Sequence, residues 1–204
     1  MDKQKIIAFF DRLADRWDEE AVENPAIINA ILDHAAIEEG VTVLDVACGT
    51  GILFPYYLER KVARVTGVDI SPRMIARARE KFSDPRIELV NADVEEALFP
   101  RPFDRCVVYN SFPHFSRPAR LIAVLARQLA PSGRLTIAHG ESRAKIDERH
   151  RNHASEVSRP LLPEDELAAL LEPYFAVDVI ISNEQMFVVS GTKKIPAEVK
   201  RGNS

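Results

Sequence analysis

Apolar positions recur at intervals of three and four near the start of the chain, where Ile6, Phe9, Phe10, Leu13 and Trp17 stand among charges. That period predicts an amphipathic helix over 4–17. A second helical pattern, with Ile27, Ile28, Ile31 and Leu32 on one side, is expected to close at Gly40. The period then changes. "VTVLDVAC" is a β-branched apolar run, "GILFPYYLERK" reads as a helix, "RVTGVDI" is again a strand, and "SPRMIARAREKF" opens with Ser71 as N-cap and Pro72 at the first helical position. Strand "IELVNAD", strand "FDRCVVYN", helix "RPARLIAVLARQLAP" and strand "GRLTIAHG" continue the alternation.

Strands that are apolar throughout, alternating with helices, imply a parallel sheet covered on both faces. The fold class is α/β, doubly wound. A helical insertion at about 140–163 follows, with its helix within 144–158, and then the helix "PEDELAALLEPYF". "AVDVIISN" and "EQMFVVSGTK" are spaced as a hairpin, so the last strand is expected to run antiparallel. The tail at 195–204 reads as disordered.

Composition narrows the function classes. The chain has 204 residues, 46% hydrophobic and 28% charged, with a net charge of -4. That balance suits one globular domain and lacks the basic excess of nucleic-acid or membrane-surface binders. The charged start has no signal-peptide core and no run is long enough to span a membrane, so a cytoplasmic location is expected. Cys48 and Cys106 form no CxxC pair and are expected to be reduced.

Candidate chemistry gathers at the strand ends. In "VLDVACGTG", Gly49 and Gly51 follow the first strand, where a tight turn admits a ligand close to the backbone. Asp45, Asp69 and Asp93 fall on or at the end of three successive strands, and Asp69 stands 18 residues after Gly51, where a carboxylate accepts from ribose hydroxyls. A dinucleotide fingerprint would need a third glycine, but Phe54 or Ile52 stands there, depending on the frame.

"VLDVACGTG", "VTGVDISPRMIARAREKF", "VNADVEEALF" and "FDRCVVYNSFPHF…LARQLAPSGRLTIAH" together resemble the successive motifs of class I S-adenosylmethionine-dependent methyltransferases, in particular the small-molecule branch that includes quinone-ring methylases. The resemblance implies a seven-stranded sheet with an antiparallel last strand, and S-adenosylmethionine as cofactor. It implies one domain over 1–194 with a helical cap at about 1–40. Carried over, Ala47, Cys48, Gly49 and Gly51 would form the turn at the methionine portion and Asp45 would hold its amino group. Asp69 would take both ribose hydroxyls, with Ile70 and Met74 near the adenine. Asp93 would accept from the adenine amino group beside Val94, Asn110 would floor the transfer centre, and Trp17 would close the methionine end.

The departure "NSFPHF" from the Asn/Asp-Pro-Pro-aromatic run of nucleobase methylases argues for a small-molecule acceptor rather than nucleic acid. His114 and His139 follow the fourth and fifth strands, and His150 and His153 share one helix face with Ile146 and Val157. These histidines are open to three readings: packing groups, a general base at His114 or His139, or a metal site with Glu141. The spacing matches no established ligand motif, so no metal is assigned. Trp17, Glu141, His150 and His153 are expected to face the acceptor. A nicotinamide-dependent oxidoreductase and a non-catalytic S-adenosylmethionine-binding module remain the alternatives, and the sequence leaves the oligomeric state open.

Overall fold

The computed structural model describes residues 2–20 and 23–195. Three helices come first, α1 (Lys3–Leu13), α2 (Trp17–Glu20) and α3 (Pro25–His34). The sheet layer follows as β1 (Thr42–Val46), α4 (Phe54–Glu59), β2 (Arg64–Asp69), α5 (Pro72–Lys81), β3 (Ile87–Asn91) and β4 (Phe103–Tyr109). A 3-10 turn at Phe112–His114 leads to α6 (Pro118–Gln128), β5 (Leu129–His139) and α7 (Arg143–His153). The described chain ends with α8 (Glu164–Leu171), β6 (Phe175–Ser182) and β7 (Phe187–Lys193).

The seven strands form one sheet in the order β3-β2-β1-β4-β5-β7-β6. Neighbours are parallel except at β7, which runs antiparallel to both β5 and β6. The expected α/β fold with an antiparallel last strand is therefore present.

Alternate residues of each strand feed two cores. On one face Leu44, Cys106 and Val108 meet Leu121, Leu125 and Leu167, and on the other Val43, Val65 and Val107 meet Ile28, Leu32 and Phe54. Chain order reverses between β1 and β4, so their carboxyl ends open a crevice where such sheets hold ligands.

Several local expectations hold and others shift. Ser71 caps α5 as expected, its hydroxyl accepting from the Met74 amide at 3.1 Å. The first helix stops at Leu13, and a turn closed by Arg16 N–H donating to Leu13 C=O at 3.0 Å carries the chain into α2. Trp17 is thereby folded back onto Phe10, with ring centroids 5.6 Å apart. A straight helix would separate residues seven apart by about 10 Å along its axis. The second helix ends at His34 rather than Gly40. Ala36, at φ +53°, takes the left-handed position there, and Gly40 belongs to a later turn. The insertion helix is shorter than expected, ending at His153. The tail lies outside the described residues from 196 onward.

Candidate active site

The carboxyl ends of β1, β2, β3 and β4 floor a cavity of about 560 Å³, and α1, α2 and α7 roof it. Its floor is a backbone device. Ala47, Gly49 and Gly51 all take positive φ, at +54°, +55° and +89°, and Asn110 at the end of β4 takes +53°. Left-handed backbone at Ala47 costs on the order of 1–3 kcal/mol, while Asn110, which tolerates it better, is held by the Gly140 amide donating to its Oδ1 at 3.0 Å. Gly49 faces the cavity, and a Cβ there would lie 3.7 Å from Trp17 Nε1.

Gly51 corrects one expectation, because it does not line the cavity. A Cβ on it would come within 2.6–2.8 Å of the Phe54 and Phe82 rings, beneath the turn. The glycine there makes room for Phe54, which also fills the hollow over Gly67 and so occupies the space that a third glycine keeps open in dinucleotide folds.

Three carboxylates meet this floor in different states. Asp69 is buried, and its two oxygens accept from Gly49 N–H at 2.9 Å and Ser71 N–H at 2.8 Å. Burial pushes its pKa up to about 6 against those two bonds. Asp45 is 2% exposed, faces the cavity, and no donor among the described residues reaches its carboxylate. Burial first, and the nearby Asp69 second, hold its pKa well above the ordinary carboxylate range. A buried carboxylate without a donor is costly, and a ligand that brings a cation or N–H groups relieves it. Asp93 accepts from the Glu95 amide at 2.9 Å and is touched by Lys3 of α1.

The acceptor side is built differently. Ile6, Phe9, Phe10 and Leu13 of α1 form an apolar roof. Rings chain edge to face from Trp17 through Phe10 and His114 to His150, with centroids 5.6, 4.9 and 5.1 Å apart. His114 Nδ1 lies 2.8 Å from the Val157 carbonyl oxygen. A carbonyl only accepts, so Nδ1 carries the proton and Nε2 keeps the lone pair. Burial pushes the His114 pKa down to about 4, and that of His150 likewise to about 4.

Of the expected site residues, Trp17, Asp45, Ala47, Cys48, Gly49, Asp69, Ile70, Met74, Asp93, Val94 and Asn110 line the cavity. His114, Glu141, His150 and His153 do so as well. His139 does not. It is fully buried at the end of β5 against Phe187, and among the described residues neither ring nitrogen has a partner, so it does not reach the cavity. His150 is buried whereas His153, at the last turn of α7, is exposed at the cavity rim, so the two do not share an inward face equally. Glu141 pairs with Arg149. No group of three or more metal-ligating side chains that could hold an ion occurs among the described residues.

Lys3, Phe9, Phe10, Tyr109 and Arg149 also line the cavity and were not expected there. The signal for Phe9 and Phe10 was the apolar stripe on a helix otherwise full of charge, with no described core residue of its own.

A methyltransferase domain model matches residues 43–133. A malonyl-[acyl-carrier protein] O-methyltransferase from Acetivibrio thermocellus is 30% identical over 141 residues, 68% of this chain and 50% of that protein. A ubiquinone biosynthesis O-methyltransferase from Photobacterium profundum is 31% identical over 138 residues, 62% of this chain and 58% of that protein. The chain spans about half the length of the curated relatives it matches. The N-methyltransferase NodS from Bradyrhizobium japonicum WM9, solved in complex with S-adenosyl-L-homocysteine, superposes with a TM-score of 0.70 at 17% identity, over 92% of this chain and 97% of that one.

Over residues 43–133 the chain is similar to a methyltransferase domain, and it shares the fold of S-adenosylmethionine-dependent methyltransferases. Its site fits that cofactor. The donorless Asp45 suits an amino group, the buried Asp69 suits ribose hydroxyls, and the left-handed turn at 47–49 leaves room for close approach.

Proposed function

We propose that the chain transfers a methyl group from S-adenosylmethionine to a small, largely apolar acceptor, and that His114 takes the proton the acceptor loses. The reading treats 1–194 as one domain in a reducing, cytoplasmic setting, with 1–40 as cap and 140–163 as an acceptor-side insertion. The observation that carries it is the pairing, in one cavity, of a carboxylate-lined floor with an apolar roof that ends at a neutral imidazole.

The cofactor supplies an activated methyl group on a sulfonium. Asp45, Asp69 and Asp93 would hold its amino group, ribose and adenine, with Met74 and Val94 packing beside the ring. What remains for the protein is placement, dryness and proton removal. Phe9, Phe10 and Leu13 exclude water above the transfer centre. Val157 fixes the His114 tautomer, and the depressed pKa keeps the ring neutral, and so able to accept a proton, at all pH values well above about 4. A base this weak suffices, because the acceptor proton becomes strongly acidic as the new bond to carbon forms.

The test combines a labelled methyl donor, a library of phenols, thiols, amines and carboxylic acids, and the variants His114→Gln and His114→Phe. Label should pass to one acceptor class. Both variants should lower kcat by about 10²–10⁴, the usual span of a positioned base, with S-adenosylhomocysteine affinity unchanged. Transfer at the wild-type rate by His114→Phe removes the assignment of the base. Binding of the donor with no transfer to any acceptor favours the non-catalytic module.

A further inference from the structure

Helix α1 is amphipathic, yet none of its residues is buried. Its apolar face looks into the cavity rather than into either core, so apolar burial does little to hold it on the body of the protein. Polar contacts do so instead. Asp11 accepts from the Ser71 hydroxyl at 2.5 Å and from the Arg73 amide at 3.2 Å, and Asp15 pairs with Arg73. Asp18 meets Thr50 at 2.5 Å and Lys81 at 2.8 Å.

At the far end of the roof Lys3 pairs with Asp93 and reaches Glu96 at 3.0 Å. Trp17 and Lys3 lie over different parts of the cofactor floor. Trp17 stands over Gly49, and Lys3 stands over Asp93, the carboxylate read above as the adenine acceptor. Together α1 and α2 therefore reach across the cofactor floor, with Trp17 of α2 at Gly49 and Lys3 of α1 at Asp93.

We propose that Lys3 is a cofactor-positioning residue: its ion pair with Asp93 and Glu96 fastens the start of α1 across the adenine end of the site and sets how long the cofactor and its product stay bound. The proposal rests on the cofactor reading given above. Asp93 can serve both partners, because one oxygen faces Lys3 and the other accepts from the Glu95 amide, leaving lone pairs for a further donor. Because Lys3 is partly exposed, the pair is open to screening by salt, and its effect falls as ionic strength rises.

The chain has one tryptophan, Trp17, so intrinsic fluorescence reports directly on the site. S-adenosylhomocysteine release is followed by stopped-flow in wild type, Lys3→Met, Lys3→Arg and, as a control for lost charge, Lys61→Met. Lys61 pairs with Glu39 where β1 and β2 begin, away from the cavity. Lys3→Met should speed release by about two- to fivefold, the scale of a partly screened ion pair. It should also flatten the rise of the release rate between low and high salt. Lys3→Arg should restore most of both, and Lys61→Met should match wild type. In the ligand-free chain, amide hydrogen exchange over 4–13 should quicken in Lys3→Met alone. A Lys3→Met release rate and salt slope equal to wild type overturn this proposal and leave the cofactor site standing. Failure of the wild-type chain to bind S-adenosylhomocysteine overturns the cofactor reading, and this proposal with it.

Discussion

The floor and the roof of the cavity are made on opposite principles. The floor is backbone and short carboxylates set by parallel strands, whose register leaves Asp45, Asp69 and Asn110 little freedom to move. The roof is long apolar side chains on a helix held down by ion pairs and hydrogen bonds at its edges. Stability is low where elements bury little and rest on exposed polar contacts, so the roof is the part able to open. The floor shows the complementary economy. Asp45 is buried there without a donor among the described residues, so the ligand-free fold bears a cost where recognition has to be strongest. Rigidity and strain sit below, mobility and apolar contact above.

The contrast is broken most directly at Asp69. In Asp69→Ala the ribose would lose a charged acceptor, at about 2–3 kcal/mol, or roughly 30- to 150-fold in affinity. Calorimetric titration with S-adenosylhomocysteine should show that loss with the fold intact. Affinity equal to wild type would mean that Asp69 serves only the Gly49 and Ser71 amides.

Asp45 sharpens the same contrast, because its effects on binding and on stability should have opposite signs. Asp45→Asn removes a buried charge that no protein donor meets, so the ligand-free chain should gain about 1–3 kcal/mol and melt higher at pH 7.5 or above. S-adenosylhomocysteine binding should weaken by about tenfold as the amino group loses its counter-charge. The pH dependence follows from the direction of the shifts. Asp45 and Asp69 both titrate higher in the folded chain than the ordinary 3.8, so folding favours their protonated forms. The stabilisation is complete below the ordinary carboxylate range and is lost as pH rises, through about 6 in the case of Asp69. The melting advantage of Asp45→Asn over wild type should therefore shrink on acidification. An advantage that stays constant from pH 8 to pH 5 would show that Asp45 is ionised in the folded chain across that range, and that burial does not raise its pKa.

The two regions also differed in how far the sequence disclosed them. Strand ends were legible because a parallel sheet fixes where they point: once β1, β2 and β3 were placed, Asp45, Asp69 and Asp93 had to meet at one edge. Gly51 was misjudged because a glycine in a turn looks the same whether it makes room for a ligand or for a ring. Its neighbour, Phe54, belongs to the following helix and packs back underneath. The roof was only half legible. A period of 3.6 identifies an apolar stripe but not what it faces, so Phe9, Phe10 and Leu13 predict an amphipathic helix without saying what it covers, and nothing local marks Lys3 as the partner of a residue 90 positions away. The insertion histidines failed on end effects, since α7 stops at His153 and leaves that ring outside while His150 turns in.

The smallest expected effect concerns His139, which belongs to neither region although its position in the sequence suggested the floor. Its ring is fully buried, lies edge-on to Phe187 with centroids 6.2 Å apart, and has no partner for either nitrogen among the described residues. Burial, and then the charges of His150, Arg149 and His114, push its pKa down to about 3. His139→Phe keeps a planar ring of similar size and replaces two unsatisfied polar atoms with carbon, which is neutral or stabilising by up to about 1–2 kcal/mol. The gain should grow in acid. A histidine whose folded pKa lies below its ordinary 6.5 contributes stability that is whole above 6.5 and is lost as pH falls towards about 3, and the phenylalanine has no such loss. Thermal melts of wild type and His139→Phe from pH 7.5 to pH 5 measure both effects, and parallel assays of methyl transfer should show no change. A folded His139→Phe that has lost transfer while keeping S-adenosylhomocysteine affinity would return His139 to the active site, as a group acting through the neighbouring rings of His114 and His150.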